Sequence, residues 1–160
     1  MIVFASLVPH PPLLIPEVGK NNLQTLEPTV KAYQELEQIL YASKPDILLF
    51  LGKFADISEE AFVINQQAQV QVEFKKFGDL LTRLTFQTDL ALGYKIKESA
   101  ETTLPIILTA QSNLDYQVGV PLYALTKHLP NIKIVNISAS NLSPDMHIKF
   151  GEQIKEIINI

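Results

Sequence analysis

The sequence predicts an α/β domain: a mainly parallel sheet flanked by helices, with a small antiparallel excursion around residues 61–86. Three observations predict it. Ile47-Leu48-Leu49-Phe50-Leu51 is a continuous apolar run of the kind that is buried on both faces of a sheet. An equally apolar run, Ile2–Val8, precedes it, and an amphipathic stretch lies between them, which reads as strand, helix, strand. The same alternation resumes near the C-terminus, with apolar runs at Leu104–Ala110 and Lys133–Ser140 and helical patterns around them.

Taken in order, Ile2–Val8 is the first predicted strand. Three prolines, Pro9, Pro11 and Pro12, then surround His10. Proline fixes its own φ and restricts the residue before it, so this is a stiff, extended loop that runs to about Thr25. Leu26–Ser43 is predicted as a helix, with Pro28 tolerated in its first turn and Val30, Tyr33, Leu36, Ile39 and Leu40 at helical spacing. Lys44-Pro45-Asp46 stops it, and Ile47–Leu51 follows as a second strand ending at Gly52; the first two strands are expected to be parallel with a right-handed crossover. The middle is different. Ala61–Asn65, Gln69–Phe74 and Leu80–Phe86 are short and β-rich, and Val70, Val72 and Phe74 alternate with polar residues as in a strand with one wet face. Thr88 is expected to cap a helix running to about Thr102. After the strand at Leu104–Ala110, Pro121 is expected to begin a helix through Leu129. Ser143-Pro144-Asp145 starts the last helix: a cap, a proline at the first helical position, and an acid near the positive end of the dipole. Met146, Phe150, Ile154 and Ile157 form its apolar stripe.

A chain of 160 residues suggests one domain over its whole length. The net charge is −4 with no basic block, which argues against nucleic acid as a partner. No apolar run approaches the length of a membrane span, so no membrane partner is expected. There is no cysteine, hence no disulfide framework and no zinc–thiolate site, which fits a cytoplasmic location. The first residues carry no basic region or small-residue cleavage site, so they are not read as a signal peptide. The last helix crowds Ile154, Ile157, Ile158 and Ile160 at its end, more apolar side chains than one stripe covers. This leads to the expectation of a homo-oligomer, a twofold dimer above all, with an interface over Phe150–Ile160.

In an open α/β sheet, ligands bind at the carboxyl ends of the strands. The predicted layout brings four segments to that end: His10 after the first strand, Gly52-Lys53 after the second, Asn113, Asp115 and Tyr116 after the third main strand, and Asn141 after the fourth. One cleft would then hold a histidine, a lysine, an acid and a phenol. Histidine and carboxylate can bind Fe²⁺ or Zn²⁺, whereas a charged Lys53 beside a ligand histidine opposes a cation. A bland alternative stands beside this: Lys53 as a solvated loop residue and His10 as a chance passenger of a proline-rich loop. His128, near the end of a predicted helix, suits the helix dipole, and His147 sits beside the apolar stripe of the last helix; both read as structural. No Gly-rich phosphate loop, Gly-x-Ser-x-Gly elbow or His-x-x-x-His pair is present.

The stretch from Val8 to Gly19, with its Pro-His-Pro-Pro core, closely resembles the class III extradiol ring-cleavage dioxygenases, the LigB-like proteins, to which the Memo proteins are related. The similarity continues through Lys44-Pro45-Asp46-Ile47, Leu114-Asp115-Tyr116, Val120-Pro121-Leu122-Tyr123, Ile137-Ser138-Ala139 and Phe150-Gly151, in order along nearly the whole chain. The resemblance implies an α/β fold and an Fe(II) site that opens catechol rings with O₂. Two histidines and a glutamate hold the iron, and a further histidine acts as acid/base. His10 matches the first ligand. Lys53 stands where the second ligand histidine is expected, and Tyr116 where the acid/base histidine is expected. The glutamate comes from a further section that this chain lacks. One of four functional residues is retained, and tyrosine, with a pKa near ~10, is a poor proton shuttle at neutral pH. The resemblance therefore implies a shortened, degenerate member: catalytically silent, without bound iron, and keeping a role in binding a small aromatic ligand or a partner. Two other readings stay open. One is an active dioxygenase whose missing ligands come from another chain. The other is a metal-independent enzyme that uses Lys53 and Tyr116 with His10, Asn113 and Asp115 lining the site.

Overall fold

The structure, a computed structural model, describes residues 1–52 and 60–159. Its centre is β6 (Lys133–Ser138) in a six-stranded mixed sheet. β1 (Ile47–Gly52) pairs with β6 in parallel along its full length, Ile47 opposite Lys133 through Gly52 opposite Ser138. The other side of β6 is shared. Its start pairs in parallel with the end of β4 (Arg83–Thr88), and its end pairs antiparallel with β2 (Phe62–Asn65). β5 (Ile106–Thr109) lies outside β2 in parallel, and β3 (Gln69–Glu73) outside β4 antiparallel. The β3–β4 hairpin is the antiparallel excursion that the alternation predicts.

Four longer helices flank the sheet. α2 (Glu27–Ser43) and α4 (Tyr116–Leu125) cover one face; α3 (Leu90–Ala100) and α5 (Pro144–Asn159) cover the other. A short helix, α1 (Pro16–Gly19), lies between 3-10 turns at Pro12–Leu14 and Lys20–Leu26. Because strand side chains alternate between faces, β1 sends Leu48 and Phe50 to the α2/α4 side and Ile47 and Leu49 to the α3/α5 side. Two apolar cores result. One gathers Tyr33, Leu40, Val72, Phe74, Val118, Leu122 and Ile134; the other gathers Phe62, Ile64, Ile96, Val135, Ile137, Phe150 and Ile154.

Several expectations are corrected. Ile2–Val8 is not a strand: it belongs to no ladder, and Ile2, Val3 and Leu7 are exposed, Leu7 almost completely at 99%. The parallel partner of β1 is therefore β6. The cap of α3 is Asp89, whose carboxylate accepts from the Leu92 amide at 2.8 Å, while Thr88 ends β4. A carboxylate at the positive end of the helix outcompetes the neighbouring hydroxyl. α4 begins at Tyr116, five residues before the expected start, because Asp115 caps it by accepting from the Gln117 amide at 2.9 Å; Pro121 lies inside the helix. β4 starts at Arg83. Asp79 accepts from the Leu81 and Thr82 amides at 2.9 and 3.0 Å, which folds Leu80 and Leu81 into a turn and leaves both exposed. Finally, β2 and β5 run opposite to β1 and β6, so the strand ends do not all converge on one end of the sheet.

The C-terminal helix forms as expected, with the Ser143 hydroxyl near the Met146 amide at 3.4 Å. Phe150 and Ile154 are buried in their own chain, Phe150 stacked on Phe62 with ring centroids 4.1 Å apart. Ile157 and Ile158 pack against the same core. Ile157 and Ile158 stay partly exposed, and Ile160 lies outside the described residues.

Candidate functional site

The site is built where the proline loop meets the start of α4. After β5 the chain continues alongside β3: the Gln71 amide donates to the Ser112 carbonyl at 2.7 Å, and the Leu114 amide to the Gln71 carbonyl at 2.8 Å. This delivers Asp115 and Tyr116 to the end of the sheet at which β1 and β6 begin. α4 can lie close to β3 because residue 119 is glycine; a Cβ there would come within 2.4 Å of the Val72 side chain.

Opposite Tyr116 stands the proline loop. Its Pro9 carbonyl accepts a hydrogen bond from the hydroxyl of Tyr33 on α2. Tyr33 is buried, and burial holds its phenol well above the ordinary range, so it stays a donor at all ordinary pH. The turn Pro12–Leu14 packs on α4. Between these two fixings the His10 ring faces Tyr116, with ring centroids 6.3 Å apart and planes tilted by 58°. Phe77 closes a third side, edge-on to Tyr116 at 5.1 Å. Phe77 ends a 3-10 turn, Lys75–Phe77, that reverses at Gly78 with φ of 87°, a backbone region that glycine enters without strain. The next residue, Asp79, holds the turn. Burial pushes its carboxyl up, but hydrogen bonds from the Thr82 side chain and the Thr82 and Leu81 amides outweigh this and keep it below the usual carboxylate range.

The arrangement is a cluster of three rings at the surface: an exposed imidazole, a half-buried phenol and an exposed phenyl. It offers ring faces and edges for a planar ligand, with His10 and the Tyr116 hydroxyl available as hydrogen-bonding groups.

Of the residues singled out in the sequence, His10 and Tyr116 come together. Asp115 is accounted for as the α4 cap, and Asn113 forms a bridge with Gln71 at the edge of β3. Lys53 lies outside the described residues. Its described neighbour, Gly52, and Asn141 lie at the end of the sheet where β1 and β6 finish. From the level of Gly52 to the level of Asn113 the register counts about seven residues, roughly 23 Å at ~3.3 Å per residue. Among the described residues, Gly52 and Asn141 therefore stand at the end of the sheet opposite Asn113. His128 and His147 each make a hydrogen bond within the fold. His128 Nδ1 donates to the buried Glu37 carboxylate at 2.6 Å, and His147 Nδ1 donates to the Ser143 carbonyl at 3.0 Å. Sequence reasoning missed Phe77 and the role of Tyr33. An exposed aromatic just before a turn glycine was a signal for the first; Tyr33 looked like one more residue of a helix stripe.

Comparison with known proteins gives three kinds of match. Residues 4–160 match the family model described as "Catalytic LigB subunit of aromatic ring-opening dioxygenase". Protein CA_C1420 of Clostridium acetobutylicum is 23% identical over 162 residues, covering 95% of this chain and 35% of that protein. The chain thus spans about a third of the length of the curated relative it matches. Among solved structures, pyrrolidone carboxyl peptidase from Pyrococcus furiosus is 15% identical with a TM-score of 0.49, covering 79% of this chain and 75% of that one. The enzyme of the same name from Thermococcus litoralis is 15% identical with a TM-score of 0.47, over 80% and 72%. A putative methylthioadenosine nucleosidase from Weissella paramesenteroides is 12% identical with a TM-score of 0.44, over 81% and 73%.

Proposed function

The chain belongs to the LigB family, and from that premise we propose that it is a ring-binding, catalytically silent member, in which His10, Tyr116 and Phe77 hold a small planar aromatic molecule such as a catechol. The observation that carries this reading is the gathering of those three rings around the motif histidine.

The family implies Fe(II) held by two histidines and a carboxylate. The described surroundings of His10 do not make up such a set: its ring neighbour is a phenol, and among the described residues no group of three or more His, Cys, Asp or Glu side chains is placed to hold an ion. The described residues around His10 do not by themselves fit the metal. What remains is recognition. Aromatic pairs in edge or offset geometry contribute about 0.5–1.5 kcal/mol each beyond burial. A ligand with two such contacts and one hydrogen bond then binds weakly, with Kd on the order of 1 mM or above.

A second reading is favoured by the length of the curated relative. This chain would be one part of a ring-opening enzyme whose remaining iron ligands lie in another segment or chain. The metal-independent reading rests on Lys53, which lies outside the described residues.

Titration of the chain with catechol by calorimetry tests the proposal. Saturable binding is expected, weakened about 5- to 10-fold by His10→Ala and by Tyr116→Ala, with each variant retaining the circular dichroism of the parent. Binding unaffected by both variants would overturn it. Formation of a ring-opened product from catechol, Fe(II) and O₂, lost in His10→Ala, would replace it with the second reading.

A further inference from the structure

The hairpin turn that carries Phe77 also carries two leucines that face water. Leu80 is 74% exposed and Leu81 85%, although the segment around them is held in place. The Phe77 and Gly78 amides donate to the Phe74 and Lys75 carbonyls at 2.9 and 3.0 Å. Asp79 is buried and accepts from the Leu81 and Thr82 amides. A fixed turn thus presents the two leucines, and little ordering is left to be done when something packs on them. They follow directly on the ring cluster, where His10 and Phe77 are themselves exposed. Leu13, in the proline loop, is exposed as well. These side chains together offer roughly 500 Å² of surface, a patch of the size that marks an interface.

We propose that a second copy of this chain covers the patch, in a twofold dimer in which the Leu80–Leu81 tip of each copy packs over the proline loop and His10 of the other. Area and charge select a second copy as the occupant. Two such patches bury about 1,000 Å² when they meet, the lower bound for a specific interface, so the dimer is weak, with a dissociation constant of roughly 10–100 μM. An exposed tip beside an exposed cluster suits a twofold contact, because each copy then gives a tip and receives one. Leu13, Phe77, Leu80 and Leu81 carry no charge, so a chain of net charge −4 meets its copy there without like-charge contact. The flanks are complementary. Lys76 lies in the turn, and Glu17 is the single charged residue from Val8 to Gly19. Both are exposed, and neither has an ion pair among the described residues. In the dimer Lys76 of one copy faces Glu17 of the other. This interface differs from the one expected at Phe150–Ile160, where Phe150 and Ile154 are buried in their own chain. Where the ring-binding reading holds, the leucines of the second copy also enclose the bound ring; the dimer itself does not depend on that reading.

Sedimentation equilibrium without catechol, over a range of concentration that spans this constant, tests the contact apart from any ligand. A reversible monomer–dimer equilibrium is expected. Leu80→Ser with Leu81→Ser should weaken it at least about tenfold. Both positions are exposed, so the variant should keep the circular dichroism of the parent. Lys76→Glu should weaken the dimer about threefold by setting two acids against each other, and adding Glu17→Lys to it should restore the parent value. That rescue is expected only where the two residues face each other across the interface. A chain that stays monomeric at every concentration would overturn the proposal. A monomer that instead binds phosphatidylcholine vesicles through Leu80 and Leu81 would assign the tip to a lipid surface and overturn it too. So would a dimer unchanged by the leucine variant, which would place the interface on another face, and so would a charge reversal without rescue.

Discussion

The two ends of this chain are comparably apolar and are held in different ways. Ile154, Ile157 and Ile158 sit against Phe62 and Phe150, and the helix that carries them is secured by burial. Ile2–Val8, with a similar content of branched and aromatic side chains, lies largely in solvent, packs on a core at Phe4 and Val8, and has a hydrogen bond at each end, at Met1 and Pro9. The difference teaches that an apolar run states a capacity for burial, while a partner surface decides whether it is used. The helix finds that surface in β2 and β6. The N-terminal segment reaches a core only at Phe4 and Val8, and the candidate site hangs from the loop that follows it.

The comparison breaks most visibly at Phe150. Phe150→Ala removes a stacked, fully packed ring and should cost about 3–5 kcal/mol, read as a lowered midpoint in urea denaturation. A loss below 1 kcal/mol would mean that the C-terminal helix is not held by burial. The N-terminal side should respond on a smaller scale. Tyr33→Phe deletes one hydrogen bond and keeps the ring, so it should cost about 1 kcal/mol while releasing the Pro9 carbonyl. Its sharper signature is local: faster proteolysis or hydrogen exchange around His10 with little change elsewhere. Leu7→Asp, at an almost fully exposed position, should shift global stability least, by about 0.5 kcal/mol or less.

How much of this was legible in the sequence follows the same division. The helices at Glu27–Ser43 and Pro144–Asn159 announced themselves through long amphipathic periods and clear stops, such as Lys44, which takes the left-handed conformation at φ 48°. The strands Ile47–Gly52 and Lys133–Ser138 were equally plain, because strands covered on both faces read as continuous apolar runs. Strand direction was not legible: nothing in Phe62–Asn65 or Ile106–Thr109 states that they run against β6, since direction is set by long-range pairing. That missing information is what sets Gly52 and Asn141 at the end of the sheet opposite Asn113. His10 and Tyr116 were found because a motif pointed to them. Phe77 came from a turn whose place beside Tyr116 depends on the β3–β4 hairpin folding back.

The central claim is that His10, Tyr116 and Phe77 act together on an aromatic ligand. Aromatic-region NMR during a catechol titration tests it most directly, because the same spectrum contains a control: Phe62 and Phe150, stacked in the opposite core. Resonances of His10, Tyr116 and Phe77 are expected to shift together along one saturable curve while those of Phe62 and Phe150 stay in place. Shifts at Phe62 and Phe150 with His10 and Tyr116 unmoved would contradict it.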